Sequence, residues 1–366
     1  MNIAELEKRL STKHLIAVLV LVKILGLIFA TQVFSRFTPL VDSDLYLEGF
    51  YTIDRFFRTQ AIQWLATTLN NLAGRYFTHF TFGMISTLGL VYYFFTGGRR
   101  WVLMLTLLLP SSLVWTSIIG KEAIFFGGIG LGLVIWSKYT VRSLNWADII
   151  IAALATGVCA SLRPHYAIAL LWMFLATALF KRLDGKAWPL LILLLIVGGL
   201  AVYFTVWEEL ILRGWGGIKP TARASRFEIL EMSANTSEGF ERFKSLVPLG
   251  LLLGIVGPMP SEVLKRVEFL PFFIEGVFIL LAPFLIFLLA IKSNVYREAI
   301  FLRIFFGCLL PAMLMLMVLH APFGLLNPGS ATRWRVNFEQ IFYLAPLLLM
   351  YRLMDDFPTK HSSPSP

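Results

Sequence analysis

The chain has 366 residues, of which 57% are apolar and 15% charged, with a formal net charge of +10. Charged residues make up about a quarter of a soluble domain, so this composition excludes a soluble globular enzyme, a disordered chain and a fibrous repeat. Apolar stretches that can cross a hydrocarbon core of about 30 Å recur along the chain, which excludes an outer-membrane barrel of alternating strands of about 10 residues.

In chain order the pattern predicts an all-α integral membrane protein with about ten transmembrane helices. They fall at 15–34, 79–96, 101–118, 122–137, 147–162, 166–180, 187–206, 270–291, 299–320 and 336–351. The first run is long and no small-residue cleavage site follows it, so it reads as a retained span rather than a signal peptide. Lys23 inside it is expected to snorkel toward the cytoplasm. Cys159 and Cys308 lie in apolar stretches and read as small buried hydrophobes. Gly127, Gly128 and Gly130 in the fourth span read as close helix packing.

A further run at 246–258 carries Pro248, Gly250, Gly254, Gly257 and Pro258, with Pro260 just after. It reads as a re-entrant or interfacial segment, 246–260, because irregular backbone at membrane depth must be buried in protein. The positive-inside rule supports this count. With both termini cytoplasmic, each short cytoplasmic loop holds at least two basic residues, such as Arg99 with Arg100 and Lys138 with Arg142. Residues 1–351 then form one transmembrane domain, and 352–366 a cytoplasmic tail whose Ser/Pro-rich end is expected to be disordered. Three longer segments face outward: 35–78, 207–269 and 321–335.

The first outer segment opens with Asp42, Ser43, Asp44, Leu45 and Tyr46. Two carboxylates two residues apart can hold a divalent cation such as Mg2+ or Mn2+. One of them can instead act as general base toward a hydroxyl, or the pair can simply cap a helix. The following stretch interleaves Phe50, Ile53, Phe56, Phe57, Ile62, Trp64 and Leu65 with Asp54, Arg55, Arg58 and Gln60. That pattern suits interfacial helices.

The short outer loops should be poor in Lys and Arg, yet Lys121 with Glu122, Arg163 with His165, and Arg333 with Arg335 sit at outer helix ends. Basic groups at membrane depth are candidates for binding phosphate, Arg through its planar fork and Lys as a compact charge. Snorkelling to headgroups, or a Lys–Glu pair at a helix end, is the plainer reading for any one of them. Most charges of 207–269 read as a solvated helical face, with Trp207 and Trp215 as interface anchors or sugar-stacking rings. Arg213 to Gly217 reads as a flexible gating loop. There is no P-loop, dinucleotide fingerprint, zinc-protease motif or Cys/His metal cluster, and nothing points to nucleic acid.

The acidic motif in the first outer loop, the interfacial helices after it and the multi-span body resemble the GT-C superfamily of membrane glycosyltransferases. The run from Pro110 through Trp115 to Lys121-Glu122, then Arg163-Pro164-His165, then Arg333-Trp334-Arg335, is similar to O-antigen and exopolysaccharide polymerase-like proteins. The O-antigen ligase pattern, with twelve spans and a His-rich large loop, is not followed.

The resemblance implies a sugar or oligosaccharide donor on polyprenyl phosphate or pyrophosphate, and a glycan or lipid-linked acceptor. It places the protein in the bacterial inner membrane with its chemistry on the outer side. Asp42 or Asp44 would be the base, with Asp44 slightly favoured. Lys121, Arg163, His165, Arg333 and Arg335 would hold the donor phosphate, with Tyr46 and Glu122 as possible additions. The rivals are a flippase or transporter of lipid-linked sugars and a non-catalytic assembly protein. A transporter should show broken helices in matched halves, and the sequence displays one broken segment, 246–260.

Overall fold

A computed structural model describes residues 11–37, 40–48, 57–98, 100–218, 236–293, 295 and 299–356. Among the described residues the chain is helical from end to end and forms no sheet. Five stretches are long and apolar enough to cross a membrane: Thr12–Arg36, Lys121–Val141, Pro164–Gly216, Val267–Lys292 and Ala299–Gly324. This is the helix content of a multi-pass membrane protein. Six of the expected spans fall within these stretches.

The first helix, α1, is Thr12–Arg36. Two helices, α2 (Val41–Glu48) and α3 (Phe57–Ser86), cover the described part of the expected outer loop, and α3 runs on into the expected span 79–96, which breaks at Thr87. Gly74 breaks α3 with φ 81° and ψ 174°, a conformation that only glycine adopts without strain. Between 57 and 77, Ile62 and Ala66 are buried while the apolar Trp64, Leu72 and Tyr76 are exposed. The expected residues Phe50, Ile53, Asp54, Arg55 and Phe56 lie outside the described residues, as do the tail beyond 356 and Arg99.

The short α4 (Leu88–Phe95) leads to a 3-10 stretch at Trp101–Leu108 and to α5 (Pro110–Trp115). The molecule is built around α6 (Lys121–Val141), most of whose side chains are buried. Its glycines serve close packing: a Cβ on Gly127 would stand 2.1 Å from the Ile85 carbonyl oxygen. Next come α7 (Trp146–Leu162) and α8 (Pro164–Leu183). The chain turns at Asp184–Lys186 and returns as α9 (Ala187–Val202). Residues 168–175 of α8 and 194–202 of α9 border one cavity, so the two form a hairpin. A π turn then leads into α10 (Glu208–Ile218).

The second half comprises α11 (Ser237–Val256), α12 (Pro260–Lys265), α13 (Leu270–Lys292), α14 (Ala299–Gly324), α15 (Pro328–Arg335) and α16 (Glu339–Asp356). The face of α16 from Glu339 to Pro346 is wholly buried. Cys159 and Cys308 are both buried and reduced.

Four local expectations change. The stretch 101–118 is not one regular span: it is 3-10 helix, then α5, then non-helical backbone to Gly120. Pro110 explains the break, since it lacks the amide that an uninterrupted helix would need there. The stretch 246–258 is not irregular up to Val256, because it continues α11. Gly250 and Gly254 let α11 touch α14, since a Cβ on Gly250 would lie 2.0 Å from the Ala321 carbonyl oxygen.

Arg213 to Gly217 is part of α10, not a loop. Trp215 is buried against Phe243 at 5.6 Å and Phe240 at 5.9 Å, so packing holds this segment helical. Lys23 does not snorkel. It is 1% exposed, and its Nζ donates to Thr116 Oγ1 at 2.5 Å in the non-helical stretch. The mixed charges of 207–269 do form a solvated face: Arg213–Glu209, Arg242–Glu238 and Lys244–Glu241 pair along exposed helix surfaces. Lys219, Arg223, Arg226, Glu228 and Glu231 lie outside the described residues.

Candidate functional site

The residues singled out at the helix ends are separated in sequence and gathered in space. Lys121 and Glu122 open α6. Arg163 precedes Pro164, the first residue of α8, and His165 follows. Arg333 comes from α15, whose start Asn327 caps and Pro328 occupies the first turn. Tyr46 comes from α2. All six line one cavity of about 400 Å³, together with Arg58, Arg213, Leu162, Phe323 and Trp334.

Glu122, 2% exposed, is the centre of the charge pattern. Its Oε1 accepts from Arg163 Nη2 at 2.6 Å and from Arg333 Nε at 3.1 Å. Its Oε2 accepts from Arg333 Nη2 at 3.2 Å. Both guanidiniums also lie over indole rings, Arg163 at 5.3 Å from Trp334 and Arg333 at 5.5 Å from Trp115. A carboxylate bridging two cations from distant elements, each resting on an aromatic face, fixes both forks in place. Lys121 Nζ donates to Thr59 Oγ1 at 2.7 Å, and Arg58 Nη1 to the Leu162 carbonyl at 3.5 Å. These two bonds tie the first half of α3 to the cavity rim.

The lining thus holds five cationic side chains (Arg58, Lys121, Arg163, Arg213, Arg333) against one carboxylate, with Arg213 paired to Glu209 outside the lining. Burial, then the charges of Arg163 and Arg213, push the Arg58 pKa down. Arg163 Nε and His165 Nε2 are buried with no hydrogen-bond partner. The arrangement suits a multiply charged anion whose oxygens would neutralise the excess cations.

The structure separates the remaining expected residues from this cavity. Arg335 is fully buried elsewhere. Its Nη2 donates to Glu275 Oε2 at 2.6 Å, to Ser111 Oγ at 3.0 Å and to the Phe272 carbonyl at 3.1 Å. Its Nη1 donates to the carbonyls of Ile255 and Gly257 at 2.8 and 3.0 Å. It therefore clasps α5, α13 and the end of α11 together. Arg333 and Arg335 are two residues apart in one helix, so they leave it on opposite sides.

Asp44 pairs with Arg75 at 2.6 Å, both side chains being about half exposed, and does not border the cavity. Ser43 Oγ donates to the Ile119 carbonyl at 2.8 Å, which seats α2 against the stretch before α6. Residue 42 lies one helical turn before Tyr46 in α2, and the Asp42 side chain is outside the described residues. Among the described residues no cluster of His, Cys, Asp and Glu could hold a metal ion.

Sequence reasoning read Arg58 only as part of an interfacial helix and Trp334 only as part of a motif, left Phe323 aside, and placed Arg213 in a gate. The fold and site together define a multi-helical membrane protein with a partly open, cation-lined cavity at the ends of its helices. No family model, no curated protein and no solved structure matches the chain.

Proposed function

We propose that the protein is a membrane glycosyltransferase of bacterial surface-polysaccharide assembly. Its donor would be a sugar or oligosaccharide carried on polyprenyl phosphate or pyrophosphate. The observation that carries this reading is the cavity itself: five cations and one carboxylate collected at the ends of apolar helices. A lipid-linked phosphate is the anion that reaches such a place, since its tail keeps it in the membrane.

In the reaction, the acceptor hydroxyl oxygen bonds to the anomeric carbon while the bond from that carbon to the phosphate oxygen breaks. The phosphate leaves with the electron pair, and the hydroxyl proton passes to a carboxylate. Arg163, Arg333 and Lys121 stabilise the charge developing on the leaving oxygens. Direct displacement inverts the anomeric carbon. Asp42 is the better base, because its position shares the Tyr46 side of α2 while Asp44 is engaged by Arg75. Arg335 is left out of the donor site, being committed to Glu275 and three carbonyls. The chemistry would face the outer side of the inner membrane, with both termini cytoplasmic, as the basic loops require.

The test is glycan product in cells carrying Asp42→Asn, Asp44→Asn or Arg163→Gln, with membrane protein level as control. Product is expected to vanish with Asp42→Asn and Arg163→Gln and to persist with Asp44→Asn. Full product from both Asp42→Asn and Arg163→Gln would overturn the reading.

One observation favours a transporter of lipid-linked sugars as a second reading. Non-helical backbone occurs in both halves, at 116–120 and at 257–259, and buried Arg335 joins Ser111 of α5 to the Gly257 carbonyl. Under that reading, proteoliposomes move a labelled lipid-linked sugar across the bilayer, and Asp42→Asn leaves the movement intact.

A further inference from the structure

The buried cluster around Arg335 plays no part in the donor site, and its bonding is uneven. Arg335 stands between two carboxylates, Glu275 of α13 and Glu339 of α16, and all three side chains are shut off from solvent. Glu275 has donors to spare. Besides Arg335 Nη2, it accepts from the Ser111 amide at 3.0 and 3.1 Å and from Ser111 Oγ at 2.5 Å. Glu339 does not. Ser112 Oγ at 2.5 Å and the Tyr343 hydroxyl at 3.4 Å both donate to its Oε1, while its Oε2 has no donor. On Arg335, Nε has no acceptor. These two orphaned atoms lie 4.0 Å apart.

A buried donor and a buried acceptor left unmade each cost free energy. An arrangement in which they meet therefore competes with the observed one. Closing 4.0 Å to a hydrogen bond of about 2.9 Å takes a shift of about 1 Å. At a side-chain radius of about 5–6 Å from the helix axis, that is a turn of α15 by about 10°. Glu275 tolerates the change, because the Ser111 amide keeps donating to both of its oxygens. The Ile255 and Gly257 carbonyls lose the Arg335 Nη1 donor, so the end of α11 is what Arg335 gives up for Glu339. Residues 255–259 join α11 to α12.

The same short helix reaches the basic cavity. α15 has eight residues and carries Arg333 on its other side. Glu122 holds that guanidinium at 3.1 and 3.2 Å, against 2.6 Å for Arg163. An anion entering the cavity competes with Glu122 for Arg333, and a pull on Arg333 is a torque on α15.

Resting on the reading of the basic cavity as a phosphate site, we propose that α15 couples the two clusters. An anion bound by Arg333 turns α15, moves Arg335 from Glu275 and the two carbonyls to Glu339, and releases the end of α11. Coupling of this kind needs an element with two discrete arrangements that a ligand biases, and Arg335 between its two carboxylates is that element. It is reciprocal: a change that keeps Arg335 on the carbonyls weakens the anion.

The test uses the full-length protein in nanodiscs with inorganic pyrophosphate as the anion. Binding is followed by calorimetry, and amide hydrogen exchange of peptides covering 253–265 by mass spectrometry. Saturating pyrophosphate is expected to speed exchange there about tenfold, the scale of one or two lost hydrogen bonds, and to leave α7 unchanged. Arg333→Gln should still bind pyrophosphate through Arg163 and Lys121, more weakly, and show no acceleration. Glu339→Gln keeps an oxygen for Ser112 and removes the charge that receives Arg335, so it too should bind without acceleration. Should that buried change impair folding, Arg333→Gln, at a partly exposed position, carries the test.

Binding with unchanged or slower exchange at 253–265 in the parent would overturn the coupling and leave the anion site standing. Acceleration that survives in Arg333→Gln would do the same. Absence of saturable binding would overturn the anion site itself, and the coupling with it. Glycan product in the Asp42 and Arg163 variants decides the glycosyltransferase reading separately.

Discussion

Replacing Glu122 by Gln keeps the size of the side chain and removes the one carboxylate of the basic cavity. Glu122 is 2% exposed and bridges Arg163 and Arg333 through contacts of 2.6, 3.1 and 3.2 Å. Gln keeps an acceptor oxygen, but its amide presents donors toward one of the two guanidiniums. Breaking a buried ion pair by removing one partner costs about 3–5 kcal/mol, most of it from the charge left uncompensated. Because Arg163 and Arg333 also rest on Trp334 and Trp115, the lower end of that range, about 3 kcal/mol, is expected.

The lining would then hold Arg58, Lys121, Arg163 and Arg333 with no carboxylate among them, Arg213 keeping its pair with Glu209, so an added anion should return more to the variant than to the parent. Unfolding free energy is measured by denaturant titration in nanodiscs, with and without an isoprenyl pyrophosphate. The expected result is a loss of about 3 kcal/mol without the lipid, and a lipid-induced gain that exceeds the parent's. A loss below about 1 kcal/mol, or an equal gain in both proteins, would refute the account of Glu122 as the internal counter-ion of an anion site.

Other outcomes follow from the same contacts. Arg335→Met should destabilise more than Glu275→Gln, because it leaves the Ile255 and Gly257 carbonyls without a donor, at about 1–3 kcal/mol for each group fully orphaned. Glu275→Gln keeps an acceptor for Ser111; equal losses for the two variants in denaturant titration would contradict the clasp. Gly74→Ala should cost about 1–3 kcal/mol in the same titration, since φ 81° with ψ 174° excludes a Cβ-bearing residue. Asp44→Asn should cost under about 1 kcal/mol, as expected for a half-exposed pair with Arg75, and should leave glycan product at the parental level.

Much of the scaffold was legible in the chain. Mean hydropathy and run length locate the helices that can cross a membrane, because a span must be apolar along its whole length whatever its neighbours. The stretch after Asp44 likewise reads as helix from its own periodicity, and its described part from Phe57 is helical in α3. Breaks were harder to read. Pro and Gly mark both an interrupted helix and a tight helix contact, and only the neighbour tells them apart. Pro110 interrupts 101–118, whereas Gly250 and Gly254 sit in an intact helix against α14.

The sequence by itself determined that basic groups stand at helix ends where topology does not require them. Only the tertiary structure decided which of them share a site. Glu122 meets Arg163 across 41 positions and Arg333 across 211, and no local pattern encodes such a meeting. Arg333 and Arg335 look equivalent in the string of residues. Once Asn327 and Pro328 start a helix there, a separation of two residues turns them to opposite sides, one to the cavity and one to Glu275. The physical reason is range: apolarity and helical period act over a few residues, whereas charge pairing is settled by whichever partner packing brings within a few ångströms.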